Sequence, residues 1–151
     1  MEQATEQLGI LDQRFLARSV GLLNPPPPLI ASENTTLRSV IETLREQKVG
    51  CVIIVNDAGR LAGIFSERDV LTKIALLHTD YEVPISQFMT KNPQTAQMTT
   101  TIAFALSMMS HGGYRHIPIV DEENFPVGMV SVKNIVDYLV QSLLKDLVNF
   151  Q

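Results

Sequence analysis

One stretch of the chain occurs twice, at a constant offset of 65 residues and without a gap. Subtracting 65 from Gly128, Ser131 and Asn134 gives Gly63, Ser66 and Asp69. The same shift carries Thr100-Thr101 onto Thr35-Thr36 and Ile119-Val120 onto Ile54-Val55. Apolar positions follow: Leu37 with Ile102, Val40 with Ala105, Leu44 with Met109, Phe65 with Val130. A chain that repeats one supersecondary unit has to bury that unit's apolar face twice, so the duplication decides the architecture before any single residue does. It predicts two pseudo-equivalent halves packed face to face. The cleft between such halves is where small ligands usually bind.

At 151 residues this is one unit or two intimate halves, and an apolar content of 45% supports a real core. The net charge of −4 argues against nucleic acid as a partner, since a phosphate backbone demands a basic face. A single cysteine, Cys51, excludes an internal disulfide and a cysteine-built zinc cage. His78, His111 and His116 are scattered, so no metal is expected. The opening residues carry no secretory signature and no apolar run reaches membrane-spanning length. The expectation is a soluble, cytoplasmic protein without membrane contacts.

Residues 1–28 read as an N-terminal helix, with Leu8, Leu11, Phe15, Leu16 and Val20 near helical spacing, followed by a stiff linker at Pro25–Pro28. Residues 29–80 form the first repeat. A short strand at Leu29–Ala31 precedes a helix capped by Thr35 or Thr36 and ended by Gly50. Cys51–Val55 is an apolar run suited to a buried strand, Asn56–Gly59 is hairpin chemistry, and Leu61–Phe65 returns as the next strand. A second helix is expected from Ser66 to about Leu77. Residues 81–151 repeat the order: lead strand Pro93–Gln97, helix Thr101–Ser110, strands Arg115–Val120 and Val127–Val130, and a long helix from about Val132 to Val148. The last helix has an apolar stripe too broad for one packing face, which suggests that part of it meets the N-terminal helix or another subunit. The fold class is α+β, built from two β-α-β-β-α repeats.

The chemistry concentrates in Gly63-Ile64-Phe65-Ser66-Glu67-Arg68-Asp69 and its copy Gly128-Met129-Val130-Ser131-Val132-Lys133-Asn134. Each runs from a strand through a turn into a helix start, which presents unpaired N–H groups. The Ser hydroxyl can meet a phosphate oxygen, and a carboxylate three residues on can accept from a vicinal diol such as a ribose. Ser-x-x-Asp is equally the signature of a helix capping box, and capping and binding are compatible.

The two Gly-h-h-Ser-x-x-Asp/Asn segments (h apolar), Arg115-His116-Ile117-Pro118-Ile119-Val120-Asp121, and Phe88-Met89-Thr90 with Asn92-Pro93 together resemble tandem CBS domains, the Bateman module, over about Leu29–Leu143. The resemblance implies two repeats related by a pseudo-twofold axis and packed through their sheets, often as a homodimer. It further implies an adenosine nucleotide (AMP, then ADP or ATP) bound between them, regulation of an unidentified partner, and no catalysis. By position, Asp69 is similar to the family's ribose-binding carboxylate and Ser66 to its neighbour. Ser131 and Asn134 are their weaker copies, since Asn lacks the charge. Thr35 and Thr100 match a polar residue that often touches the nucleotide. Arg115, His116 and Lys133 match cations that reach phosphates, whereas the first repeat has Gly50 and Cys51 opposite Arg115 and His116. Arg68 is a further candidate. The blander alternatives are an exposed strand-start cation for Arg115, a solvated first-turn residue for Lys133, a structural imidazole for His116 and a solvated side chain for Arg68.

A Cys51–His116 nucleophilic pair is disfavoured by the apolar setting of Cys51. The competing class is a ligand-free dimerisation or protein-interaction scaffold.

Overall fold

A computed structural model describes residues 13–149. In order, these form α1 (Gln13–Leu16), a 3-10 turn (Val20–Leu23), β1 (Ile30–Ser32), α2 (Leu37–Gln47), β2 (Cys51–Val55), β3 (Leu61–Ser66), α3 (Glu67–Asp69), a π turn (Val70–Ile74), a 3-10 turn (Ile85–Gln87), β4 (Thr90–Lys91), α4 (Ile102–Gly112), β5 (His116–Val120), β6 (Pro126–Ser131) and α5 (Val132–Asn149). The N-terminal helix expected around residues 5–20 falls partly outside the described residues. Within them it ends at Leu16 rather than Val20.

The two halves share their local chemistry. Thr36 and Thr101 are N-caps in extended conformation, and each hydroxyl accepts from the backbone N–H three residues on, Ser39 at 3.2 Å and Phe104 at 3.1 Å. Helix α2 ends on Lys48 at φ 53, two residues before the expected glycine, and α4 ends on Gly113 at φ 69. Strand β2 pairs with β1 in parallel and with β3 antiparallel, while β5 pairs antiparallel with β6. Both hairpins carry the same irregularity, at Ile54/Val55 and at Ile119/Val120.

The halves differ at their sheet edges, and the sequence explains how. The first sheet has four strands, β1-β2-β3-β4, and the second has two. The lead strand expected at Pro93–Gln97 reduces to a single parallel bridge, Ala96 to Ile119, at the position where Ala31 pairs with Ile54. At the other edge, Thr90 pairs with Ile64 of β3, but its 65-residue counterpart is Pro25. Pro25 lies beside Gly128 of β6, with its Cγ 3.6 Å from where a Cβ would stand. Lacking an N–H, a proline run can line this edge but cannot extend the ladder.

Each repeat is completed by the segment preceding the other. Val20 N–H donates to the Thr100 carbonyl (2.8 Å), as Ile85 N–H does to Thr35 (2.7 Å). Gly21 donates to Met98 as Ser86 does to Glu33, and Ile102 donates to Arg18 as Leu37 does to Val83. Residues 18–21 therefore dock on the second repeat, and residues 83–86 dock on the first. The cores agree: Phe15 and Val20 are buried with Ile102, Ala105, Ile117, Ile119 and Val130, while Ile85 is buried with Leu37, Val40, Val52, Ile54 and Phe65. Phe15 also stacks on Tyr138 of α5, with ring centroids 5.7 Å apart. A third cluster of Cys51, Ile53 and Ile64 packs against Met129 of β6, which joins the two sheets.

The helix expected from Ser66 to Leu77 is not continuous. After α3 the backbone widens into the π turn and stops at Ala75, and Leu76 follows at φ 68. Lys73 supplies a reason. Its ammonium donates to the Phe88 carbonyl (2.8 Å) and to Thr90 Oγ1 (3.2 Å), which draws the segment onto β4. The equivalent of Lys73 in α5 is Tyr138, which stacks on Phe15, and there the helix continues to Asn149.

Candidate functional site

A cleft of about 810 Å³ opens where the strand ends of the two repeats meet. The first repeat contributes Gly50, Cys51, Ile64, Ser66, Glu67, Arg68, Asp69, Leu71 and Thr72 to it, joined by Thr90 of β4. The second contributes Gly112, Gly113, Tyr114, Arg115 and His116. Four residues singled out from the sequence, Ser66, Asp69, Arg115 and His116, thus line one cavity although they come from different repeats.

Ser66 is the N-cap of α3 and makes a complete capping box. Its N–H donates to Asp69 Oδ2 at 2.8 Å, its hydroxyl donates to the same oxygen at 3.1 Å, and Asp69 N–H returns a bond to Ser66 Oγ at 3.3 Å. Asp69 Oδ1 lies 3.3 Å from the Lys73 ammonium. The hydroxyl proton that a phosphate contact would need from Ser66 is therefore committed to Asp69. The carboxylate retains acceptor capacity, because its two oxygens offer about four lone-pair directions. In the second repeat, Asn134 Oδ1 accepts from Ser131 N–H (3.0 Å) and from the Ser131 hydroxyl (2.8 Å), so the amide oxygen reproduces the box.

At the opposite wall, His116 begins β5 and packs on Gly50. A Cβ at residue 50 would lie 2.8 Å from His116 Cε1, so only glycine leaves room for the ring. Burial pushes the imidazole pKa below its usual 6.5, with Glu67 acting to raise it and Arg115 to lower it further. His116 is thus held toward its neutral form. Arg115 is exposed beside it. Cys51 is buried, and burial first, then the Asp69 charge, pushes its thiol up to about 12. A thiol so protonated is no nucleophile, which fits the apolar setting read from the sequence.

Lys133, Thr35, Thr100, Ser131 and Asn134 lie outside this cleft's lining. Lys133 reaches back along α5 to Asp137 Oδ2 at 2.6 Å. Thr35 and Thr100 are engaged by the docked segments through their carbonyls, and Thr100 Oγ1 accepts from Gln97 N–H at 2.9 Å. Ser131 and Asn134 complete their own capping box.

Tyr114, Gly112 and Gly113 carried little signal in the sequence, and Arg68 reads there as a further candidate whose blander alternative is a solvated side chain. Tyr114 packs under Gly112, where a Cβ would overlap its ring. The Gly112-Gly113 pair reads simply as a helix break. Arg68 crosses the cleft and donates from Nη1 to the Gly113 carbonyl at 2.9 Å. A first-turn arginine with threonine, not a carboxylate, four residues on was the one available clue. Among the described residues no group of three or more His, Cys, Asp or Glu side chains could hold a metal ion, and no helix is long and apolar enough to cross a membrane.

Known proteins resemble the chain in sequence and fold. The chain is 25% identical over 120 residues to an uncharacterised 17.7 kDa protein of Acidianus ambivalens, covering 80% of this chain and 72% of that one. Relatives in Arabidopsis thaliana are much longer, and the chain spans 22% of one of them. Among solved structures it is similar to the CBS domain protein PAE2072 of Pyrobaculum aerophilum complexed with AMP, with 25% identity, a TM-score of 0.71 and coverage of 77% of this chain and 88% of that one. The CBS domain pair of protein MJ0100, in complex with 5′-methylthioadenosine and S-adenosyl-L-methionine, gives 24% identity, a TM-score of 0.71 and coverage of 80% and 98%. The family model for the CBS domain matches twice, at residues 20–76 and 85–141, two windows again separated by the 65-residue offset. The chain belongs to the CBS domain family and carries the domain as a tandem pair.

Proposed function

We propose that this protein is a regulatory module that takes an adenosine nucleotide into the cleft between its repeats, AMP first and ADP or ATP next, and is not an enzyme. One observation carries the reading: a carboxylate able to accept from a ribose diol (Asp69) and, facing it, a guanidinium and an imidazole able to donate to an anionic tail (Arg115, His116) line a single cavity from opposite repeats. An AMP complex of a relative at 25% identity supports it, and the complexes of the MJ0100 pair point to the same adenosine class. Asp69 takes the ribose, Arg115 and His116 the phosphate, and the capping box holds Asp69 in place. No ligand contact in this cleft is assigned to Thr35, Thr100, Ser131, Lys133 or Asn134.

The response is a population shift. A nucleotide touching both repeats favours one arrangement of them only through unequal affinity for the two states. The surface that reads out this shift is α5, where Val136, Val140, Leu143 and Leu147 are exposed, and its partner is a second copy of the chain or a regulated protein. A thermal-shift panel of AMP, ADP, ATP, adenosine and S-adenosylmethionine tests the reading, because ligand binding to the native state raises the melting temperature with concentration.

A ligand-free scaffold is the second reading. It is favoured by the internal satisfaction of Ser66 and of both Asp69 oxygens. A flat response to the whole panel is what it requires.

A further inference from the structure

Lys73 stands behind Asp69 and outside the cleft's lining, whereas Asp69 and Thr90 line it. An ammonium has three protons to donate and accepts nothing. Here they meet three acceptors: the Phe88 carbonyl at 2.8 Å, Thr90 Oγ1 at 3.2 Å and Asp69 Oδ1 at 3.3 Å. Ser66 holds Asp69 by the other oxygen, Oδ2. A carboxylate held by one oxygen can still turn about its last torsion, which is broad in aspartate, and a hold on the second oxygen fixes its plane. The side chains of Lys73 and Asp69 are 34% and 14% exposed, against 81% and 49% for Lys133 and Asp137, so solvent screens the first pair less. The second repeat supplies the comparison. Its counterpart of Lys73 is Tyr138, which stacks on Phe15, and its counterpart of Asp69 is Asn134. The second arm of Asn134 is an amide NH2, which offers an ammonium nothing to bind. The Ser–Asp and Ser–Asn boxes both form, so capping does not require the lysine. What Lys73 adds is the hold on Oδ1, and it stands only where that atom is a carboxylate oxygen.

We propose that Lys73 is a positioning residue for the ribose carboxylate: from outside the cleft it fixes the second oxygen of Asp69 and anchors it to the segment between the repeats at Phe88 and Thr90. The role rests on the nucleotide reading above. Because all three protons of the ammonium are committed, Lys73 acts through Asp69 and not on the ligand. The affinity it contributes therefore depends on the ligand's diol.

The test is calorimetric titration with AMP and with 2′,3′-dideoxy-AMP, which lacks the diol, on the full chain, Lys73→Met, Lys73→Arg, Asp69→Asn and the Lys73→Met, Asp69→Asn double variant. The expected result is an AMP affinity roughly tenfold lower in Lys73→Met, in line with loss of a charge-assisted bond, with dideoxy-AMP affinity unchanged and part of the loss recovered in Lys73→Arg. Adding Lys73→Met to Asp69→Asn should cost little further AMP affinity, because the carboxylate through which the lysine acts is already gone. Should urea melts show Lys73→Met unfolded, Lys73→Gln, whose amide keeps donors for Phe88 and Thr90, carries the same comparison. Equal losses for both nucleotides, additive losses in the double variant or an unchanged AMP affinity overturns the role of Lys73 and leaves the nucleotide site standing. A parent chain that binds AMP and its dideoxy analogue equally overturns the ribose contact and the role together. A parent chain that binds neither overturns the nucleotide reading as well.

Discussion

At residue 69 a carboxylate accepts both Ser66 donors on one oxygen and faces Lys73 with the other, whereas at residue 134 an amide oxygen satisfies the same pair of donors from Ser131. The duplication has thus carried out a natural substitution that separates capping from charge. Asp69→Asn should keep the capping box and lower AMP affinity about tenfold or more, while Asp69→Ala should lose the affinity and also about 0.5–2 kcal/mol of stability. Paired calorimetry and denaturant melts check both, and equal destabilisation by the two substitutions would remove the basis for separating the roles. His116 gives a pH signature. Its folded pKa lies below the ordinary 6.5, so the unfolded chain takes up the proton first. The stability it contributes is complete above that value and is lost as pH falls through the lower, folded one. The difference in unfolding free energy between the parent and His116→Asn should therefore shift against the parent as pH falls from 7 to 5, measured by urea melts across that range.

At the scale of elements, the hairpins and helices were legible where one periodicity dominates. Cys51–Val55 is a strand from end to end as read, and the threonine caps sit one residue before their helices. The edges were less legible because their fate is decided across the chain. Pro25 cannot extend the second sheet as Thr90 extends the first, and Lys73 diverts a helix that its local spacing would have continued. The site was legible in type: Ser66, Asp69, Arg115 and His116 announce their chemistry, but nothing local marks Arg68 as reaching Gly113 or Lys133 as turning back to Asp137. The exchange of docking segments between repeats also left no local mark, and it makes a distinct prediction. Val20→Ala and Ile85→Ala, both at fully buried positions, should each cost about 2–4 kcal/mol. In hydrogen exchange, Val20→Ala should loosen α4 and β5, and Ile85→Ala should loosen α2 and β2. The opposite assignment would mean that each segment completes its own sequence repeat.

For the molecule as a whole, two cores are joined through Cys51, Ile53, Ile64 and Met129, and among the described residues the outer stripe of α5 is an exposed apolar surface, with Leu143 53% and Leu147 65% exposed. A stripe of that kind marks an interaction surface. If it pairs two copies, the chain sediments as a dimer and Leu143→Asp with Leu147→Asp yields a folded monomer; a parent chain that is monomeric at tens of micromolar would assign the stripe to another partner. The central claim is that one cavity binds the two ends of an adenosine nucleotide from opposite repeats. A crystal structure of the chain grown with saturating AMP tests it most directly. The account predicts the ribose hydroxyls within hydrogen-bonding distance of Asp69 and the phosphate against Arg115 and His116. AMP bound elsewhere on the chain, or a cleft left empty at saturation, would contradict it.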